Sequence, residues 1–149
     1  MHPPEPYKES LWICIRQDVE WWAEHPCLFF EINPEGVEYG FCLWSPKPAT
    51  MKAFRRKIAE KPEEFLKIVK KAEKDTGMTL TADSYKRPEA CPDKRLERFY
   101  LWKGQLALIR HEDFSEETFG PELGDRVCLF LQQLYPLYNY FTRLGGEAL

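Results

Sequence analysis

Three histidines, five cysteines and several blocks of cations are the residues of this 149-residue chain whose types and spacing could do chemistry. His25 and Cys27 stand two apart, so on a strand both face the same side. A structural zinc site needs about four converging nitrogen or sulfur donors, and no CxxC pair and no nearby His2 or His111 completes one, so no metal is expected. Cys42 with His111 is a nucleophile–base combination, but nothing in their spacing selects it over a buried structural thiol. Cys14, Cys27, Cys42 and Cys128 sit inside apolar runs, where a free thiol behaves as a small hydrophobe. An odd number of widely spaced cysteines predicts no disulfide framework and a reducing, cytoplasmic setting. GxGxxG, GxxxxGK[ST] and GxSxG are all absent, so neither a phosphate-cradling loop nor a nucleophile elbow is expected, and no cofactor follows.

The charge is uneven along a chain whose net charge is −3. Residues 47–74 carry ten Lys and Arg against four Glu, and residues 85–110 carry seven against three. Residues 1–46 and 111–125 are acidic. Such asymmetry can mark an anionic partner, although charge runs on helices usually just face water. Hydrophobic residues make up 44% of the chain, enough for a core and against disorder. No apolar run reaches the roughly 18 residues of a membrane span, and MHPPEPYKES has no charged-then-apolar leader, so neither a membrane segment nor a signal peptide is expected.

The elements that must position these groups follow from periodicity. SLWICIRQ (10–17) and CLFFEIN (27–33) read as strands, with a connection at 18–26. Asn33-Pro34-Glu35-Gly36 fits a type I turn. Val37, Tyr39, Phe41 and Leu43 then alternate with Glu38, Gly40, Cys42 and Trp44, which completes a hairpin. Ser45-Pro46-Lys47-Pro48 ends the sheet run and Pro48 opens a helix striped by Met51, Phe54 and Ile58. Lys52, Arg55, Arg56 and Lys57 lie off that stripe. A second helix starts at Pro62, buries Phe65, Leu66, Val69 and Ala72, stops at Gly77, and turns Lys67, Lys70, Lys71 and Lys74 outward. Residues 78–97 pattern weakly, with a short strand near MTLTAD and a loop over 83–95. A strand spans 98–111 with Phe99 and Leu101 in it, Ser115 caps a short turn, and a helix covers 121–134. Pro136 is expected to break that helix, since a mid-helix proline costs about 3 kcal/mol. Leu134, Leu137, Tyr138 and Phe141 continue the apolar spacing beyond it and should be buried, the alternative being a dimer patch of Tyr135, Tyr138 and Tyr140. Strands first, two helices together, then strand and helix describe a single α+β domain over 1–149, an antiparallel sheet with a central hairpin (27–44) packed by helices at 49–60, 62–76 and 121–134. One sheet face is then left to form a concave surface.

Glu5-Pro6-Tyr7-Lys8, FFEINPEGVEYGFCLWSPKP, ATMKAFRRKIAEKPEEF, Tyr85-Lys86-Arg87-Pro88 and LYPLYNYF occur in an order that resembles the bacterial domain of unknown function 2461 family over about residues 5–143. That family has a longer helical N-terminal section, a Lys-Thr stretch and a Gly-rich strand where this chain has Lys8-Glu9 and Tyr39-Gly40-Phe41, so the resemblance implies a shortened or diverged member. The resemblance implies a fold and a set of positions, not a reaction. The matching positions are Tyr7, Lys8, Gly40, Trp44, Pro46, Lys86, Arg87 and Pro88. Gly40 in mid-strand reads as a bulge or a close backbone approach.

Three functions follow as expectations. The first is a small anionic ligand held on the open sheet face by Tyr7, Lys8, Lys86, Arg87 and Trp44, Arg offering a planar fork and Lys a point charge. The second is an acidic partner or nucleic acid on the helices of 47–74; nucleic acid is disfavoured because Phe54 and Phe65 lie on the apolar stripes. The third is acid–base chemistry by Tyr7, Lys86 or His111. A homodimer is left open.

Overall fold

The computed structural model describes residues 8–147. Five strands form one antiparallel sheet: β1 (Leu11–Arg16), β2 (Cys27–Asn33), β3 (Gly36–Leu43), β4 (Thr81–Ser84) and β5 (Trp102–Asp113), in the order β1-β2-β3-β5-β4. Four helices accompany it: α1 (Pro48–Glu60), α2 (Pro62–Thr76), the short α3 (Glu97–Tyr100) and α4 (Glu122–Glu147). The α+β class, the hairpin and the first two helices are as expected from the sequence.

The hairpin turn is tied by the Asn33 side chain, whose Oδ1 accepts from the backbone N–H of Glu35 (2.9 Å) and of Gly36 (3.1 Å). Strict alternation then sends Val37, Tyr39, Phe41 and Leu43 into the main core, beneath α1, α2 and α4. α1 and α2 each open on a proline, and Lys61 alone separates them. Gly77 closes α2 in the left-handed region, φ 68°, and its N–H donates to Glu73 O at 2.9 Å.

Several sequence expectations need correction. The last helix does not stop at 134: α4 runs unbroken through Pro136 to Glu147. Gln132, whose carbonyl loses its N–H partner, and Pro136 itself are both exposed, so the freed acceptor faces solvent. Leu137, Tyr140, Phe141 and Leu144 beyond the proline are all almost fully buried. At roughly 1.5–3 kcal/mol for each large buried side chain, continuing the stripe outweighs the cost of about 3 kcal/mol at the proline. The tyrosines part company: Tyr140 is buried, Tyr138 half-buried and Tyr135 exposed.

The strand expected from residue 98 begins at Trp102, because Asp93 caps the turn Lys94–Leu96 by accepting from Arg95 N, and α3 follows directly. That turn delivers Leu96, Phe99 and Tyr100 to the core. Arg55 is not a solvated cation but is buried, with Nη1 donating to Trp102 O (3.4 Å) and its guanidinium 5.6 Å from the Tyr85 ring. Cys128, expected to be a buried thiol, is exposed on α4.

The second sheet face is only partly open. Cys27, Phe29 and Cys42 are buried there, packed with Cys14, Ala107 and Ile109. Burial pushes the Cys27 thiol far above its ordinary value and the Cys42 thiol up to about 12, so both are inert hydrophobes at neutral pH.

Candidate functional site

A cleft of about 750 Å³ lies between α2 and the Arg95–Phe99 segment. Its apolar wall comes from Leu66, Val69 and Phe99. Leu66 sits at the edge of the α2 stripe and is half-buried, so the helix's apolar face spills past the core and meets the cleft. Lys67 and Lys70, three apart on the same helix, rise beside it at the neighbouring-face spacing. Arg95 and Arg98 face them from the turn that Asp93 caps.

The two arginines are held by carboxylates. Arg98 forks onto Glu73 with both contacts at 2.8 Å, and its Nη2 also donates to Leu80 O at 2.8 Å. Leu80 N in turn donates to Glu73 Oε2 at 2.9 Å, so one carboxylate ties α2, α3 and the lead into β4 together. The Arg98 guanidinium also lies 5.3 Å from the Phe99 ring centre and 5.7 Å from that of Trp102. Arg95 donates to Asp93 and Glu63. Lys67 and Lys70 have no ion pair among the described residues, so they are the cations available to a ligand. Chemically the cleft offers an apolar wall, two ammonium groups with no ion pair among the described residues, and two guanidinium groups already oriented by the Glu63 and Glu73 carboxylates that line it too.

Burial pushes the Glu73 carboxyl up, but the hydrogen bonds from Arg98 and Leu80 N–H outweigh it, and its pKa lies below the usual carboxylate range. A carboxyl whose folded pKa is lowered contributes stability above its unfolded value of about 4.3, and that contribution fades as pH falls through the folded value. Glu73→Gln is therefore expected to cost about 1–2 kcal/mol at neutral pH, a figure reduced for the partial exposure of the pair. Thermal melts from neutral to acid pH check this: the gap between wild type and variant should narrow at the acid end, and a constant gap would contradict it.

The residues singled out by sequence are dispersed. Tyr7 lies outside the described residues. Lys8 is exposed just before the edge strand β1. Lys86 and Arg87 are exposed in the loop after β4, the opposite edge strand. Four strand spacings of about 4.8 Å put roughly 19 Å of sheet between those edges, so Lys8 and Arg87 do not share one cleft. Trp44, 38% exposed, packs on Phe29 with ring centres 6.2 Å apart. It lines a separate hollow of about 310 Å³ with Asp83 and Gln105, where no cation stands. The carboxylate there repels an anion.

His111 does meet acids: Nε2 is 2.8 Å from Asp113 Oδ1 and Nδ1 is 3.4 Å from Glu38 Oε1, and these contacts, Asp113 first, raise its pKa. The group is more than one-third exposed on a sheet strand. On the helix side, Tyr39 donates to Glu112 Oε2 at 2.6 Å and Arg126 to Glu112 Oε1 at 2.8 Å, a bond set that pins α4 to β5.

Sequence reasoning saw Lys67 and Lys70 as outward cations but did not join them to Arg95 and Arg98. The signal was present in two places: a lysine pair flanking the stripe-edge Leu66, and Asp93 two residues before Arg95 as a capping residue.

The fold defines an α+β protein with an open antiparallel sheet, one helix layer and a cation-rimmed cleft on that layer's outer side. The model of the family described as conserved hypothetical protein (DUF2461) matches residues 2–140, and the chain belongs to that family. No curated protein and no solved structure matches the chain.

Proposed function

We propose that the protein binds a small ligand with an anionic head and an apolar body in the cleft between α2 and α3. The observation that supports this reading is the juxtaposition of Lys67 and Lys70, free of ion pairs among the described residues, with the apolar wall of Leu66, Val69 and Phe99 in one cleft. A carboxylate or phosphate head is drawn by the two ammonium groups, and the body leaves water against the wall. Among the described residues of α1 and α2 no large aromatic is exposed; Phe54 and Phe65 are both core. That favours a small molecule over single-stranded nucleic acid, whose sequence-tolerant binding leans on base stacking.

Titration calorimetry with octanoate, and with inorganic phosphate as the head alone, tests the reading. Octanoate should bind more tightly than phosphate. The double variant Lys67→Glu with Lys70→Glu should weaken it by at least about tenfold, since each charge-assisted contact contributes about 1.5–3 kcal/mol when partly enclosed. Lys86→Ala with Arg87→Ala should leave it unchanged. Octanoate binding that ignores the Lys67 and Lys70 substitutions, or no binding, would overturn the proposal.

A further inference from the structure

β1 is an edge strand paired on one side alone, with β2. Its helix-side residues are Leu11, Ile13 and Ile15, which face the same way as their partners Ile32, Phe30 and Leu28. They are 73%, 72% and 54% exposed, an unusual display for three large aliphatics in a row on one face. The reason is architectural: α4 lies over β2 and β3, and β1 stands at the margin of the helix layer. Between β1 and α4 runs a groove of about 270 Å³, walled by Ile13, Ile15, Leu28, Phe30, Val127 and Leu131 with no charged residue among its lining. Nothing within Leu11–Ile15 blunts the edge: there is no proline, no inward charge and no bulge.

We propose that this edge pairs with a second copy of the same chain, antiparallel about a two-fold axis through Ile13, to give a continuous ten-stranded sheet. The sequence of the edge is complementary to itself in that register. Opposed residues in one sheet point to the same face, so an axis through Ile13 sets Ile13 against Ile13 and Leu11 against Ile15, joining six exposed aliphatics into one stripe. Moving the axis to Trp12 puts Ile15 against Glu9, and moving it to Cys14 puts Leu11 against Gln17. A shift by one residue inverts the faces. Only the Ile13 register sets all three aliphatics of one copy against aliphatics of the other.

A six-residue strand pair with one apolar stripe belongs at the small end of specific interfaces, below about 1,200 Å² in total, so the dimer should dissociate in the micromolar range. Sedimentation velocity on the full chain over a concentration series should show a reversible monomer–dimer equilibrium. Ile13→Lys brings two ammonium groups together at the axis and should give a monomer throughout. Because Ile13 is largely exposed, its thermal melt should match that of the wild-type monomer. Leu11→Lys, which sets an ammonium group against Ile15 of the second copy at both ends of the stripe, should weaken the dimer at least about tenfold. A wild type that stays monomeric overturns the proposal and leaves the groove to a different occupant. So does an Ile13→Lys or Leu11→Lys protein that dimerises as the wild type does, or an open series of larger species.

Discussion

Phe65→Ala should remove about 3–5 kcal/mol of stability, the range for emptying a fully buried aromatic site. Phe65 is the hub of the aromatic core. Its ring centre lies 5.0 Å from Phe54, 4.9 Å from Phe99, 5.1 Å from Tyr140 and 6.0 Å from Phe141. It thereby joins α2 to α1, α3 and α4 in one contact set. Edge-to-face rings add about 0.5–1.5 kcal/mol per pair beyond their buried area, so truncation loses more than a transferred side chain. For a chain of this length the melting temperature should fall by roughly 10–15 °C. Urea titration checks it: the midpoint should drop with the slope unchanged. A loss below about 1 kcal/mol would mean that the surrounding rings collapse into the gap and that the hub reading is wrong.

Gly40→Ala is the second large effect, and its cause is the opposite one, an atom added where there is no room rather than a side chain removed from a packed site. Gly40 sits in mid-β3 at φ 154°, and a Cβ there would lie 2.1 Å from the backbone carbonyl oxygen of Leu108 on β5. The neighbour is a strand backbone and has no rotamer to yield. β3 and β5 would have to separate along the Gly40–Ile109 register, in the centre of the sheet. The expected cost exceeds about 3 kcal/mol, with loss of amide exchange protection centred on β3 and β5. Gly77→Ala is the internal control: its φ is also positive, 68°, but nothing stands within 4 Å of the added Cβ. That change should cost only about 1–2 kcal/mol, the left-handed penalty by itself. Equal losses at the two positions would contradict the account of Gly40.

The hairpin was legible because everything that makes it is local: strict alternation on β3 and Asn33 two and three residues before the N–H groups it accepts from. Gly40 was legible as a close backbone approach, although its partner on β5 was not. The run of α4 through Pro136 was not legible. Proline's penalty is a local quantity, whereas the burial of Leu137, Tyr140, Phe141 and Leu144 is supplied by the rest of the fold. The α3 turn was misread because Phe99 and Leu101 alternate like a strand, while the Asp93 cap that redirects them is polar and lies earlier. The cleft is the extreme case. Lys67 and Arg98 are 31 positions apart, and no periodicity links them; the Glu73–Arg98 pair, 25 positions apart, is what brings them together. The positions carried by family resemblance share an order along the chain, but Lys8 and Arg87 fall off opposite edges of the sheet.

The claim that the α2–α3 cleft is the binding site is tested most directly by mapping backbone amide shifts during titration with octanoate. The account predicts saturable shifts confined to Glu63–Glu73 and Arg95–Phe99, which form the two walls of the cleft, and a quiet loop at Lys86–Arg87. Shifts centred on Ser84–Arg87 or on the hollow beside Trp44, with the α2 amides unmoved, would contradict it.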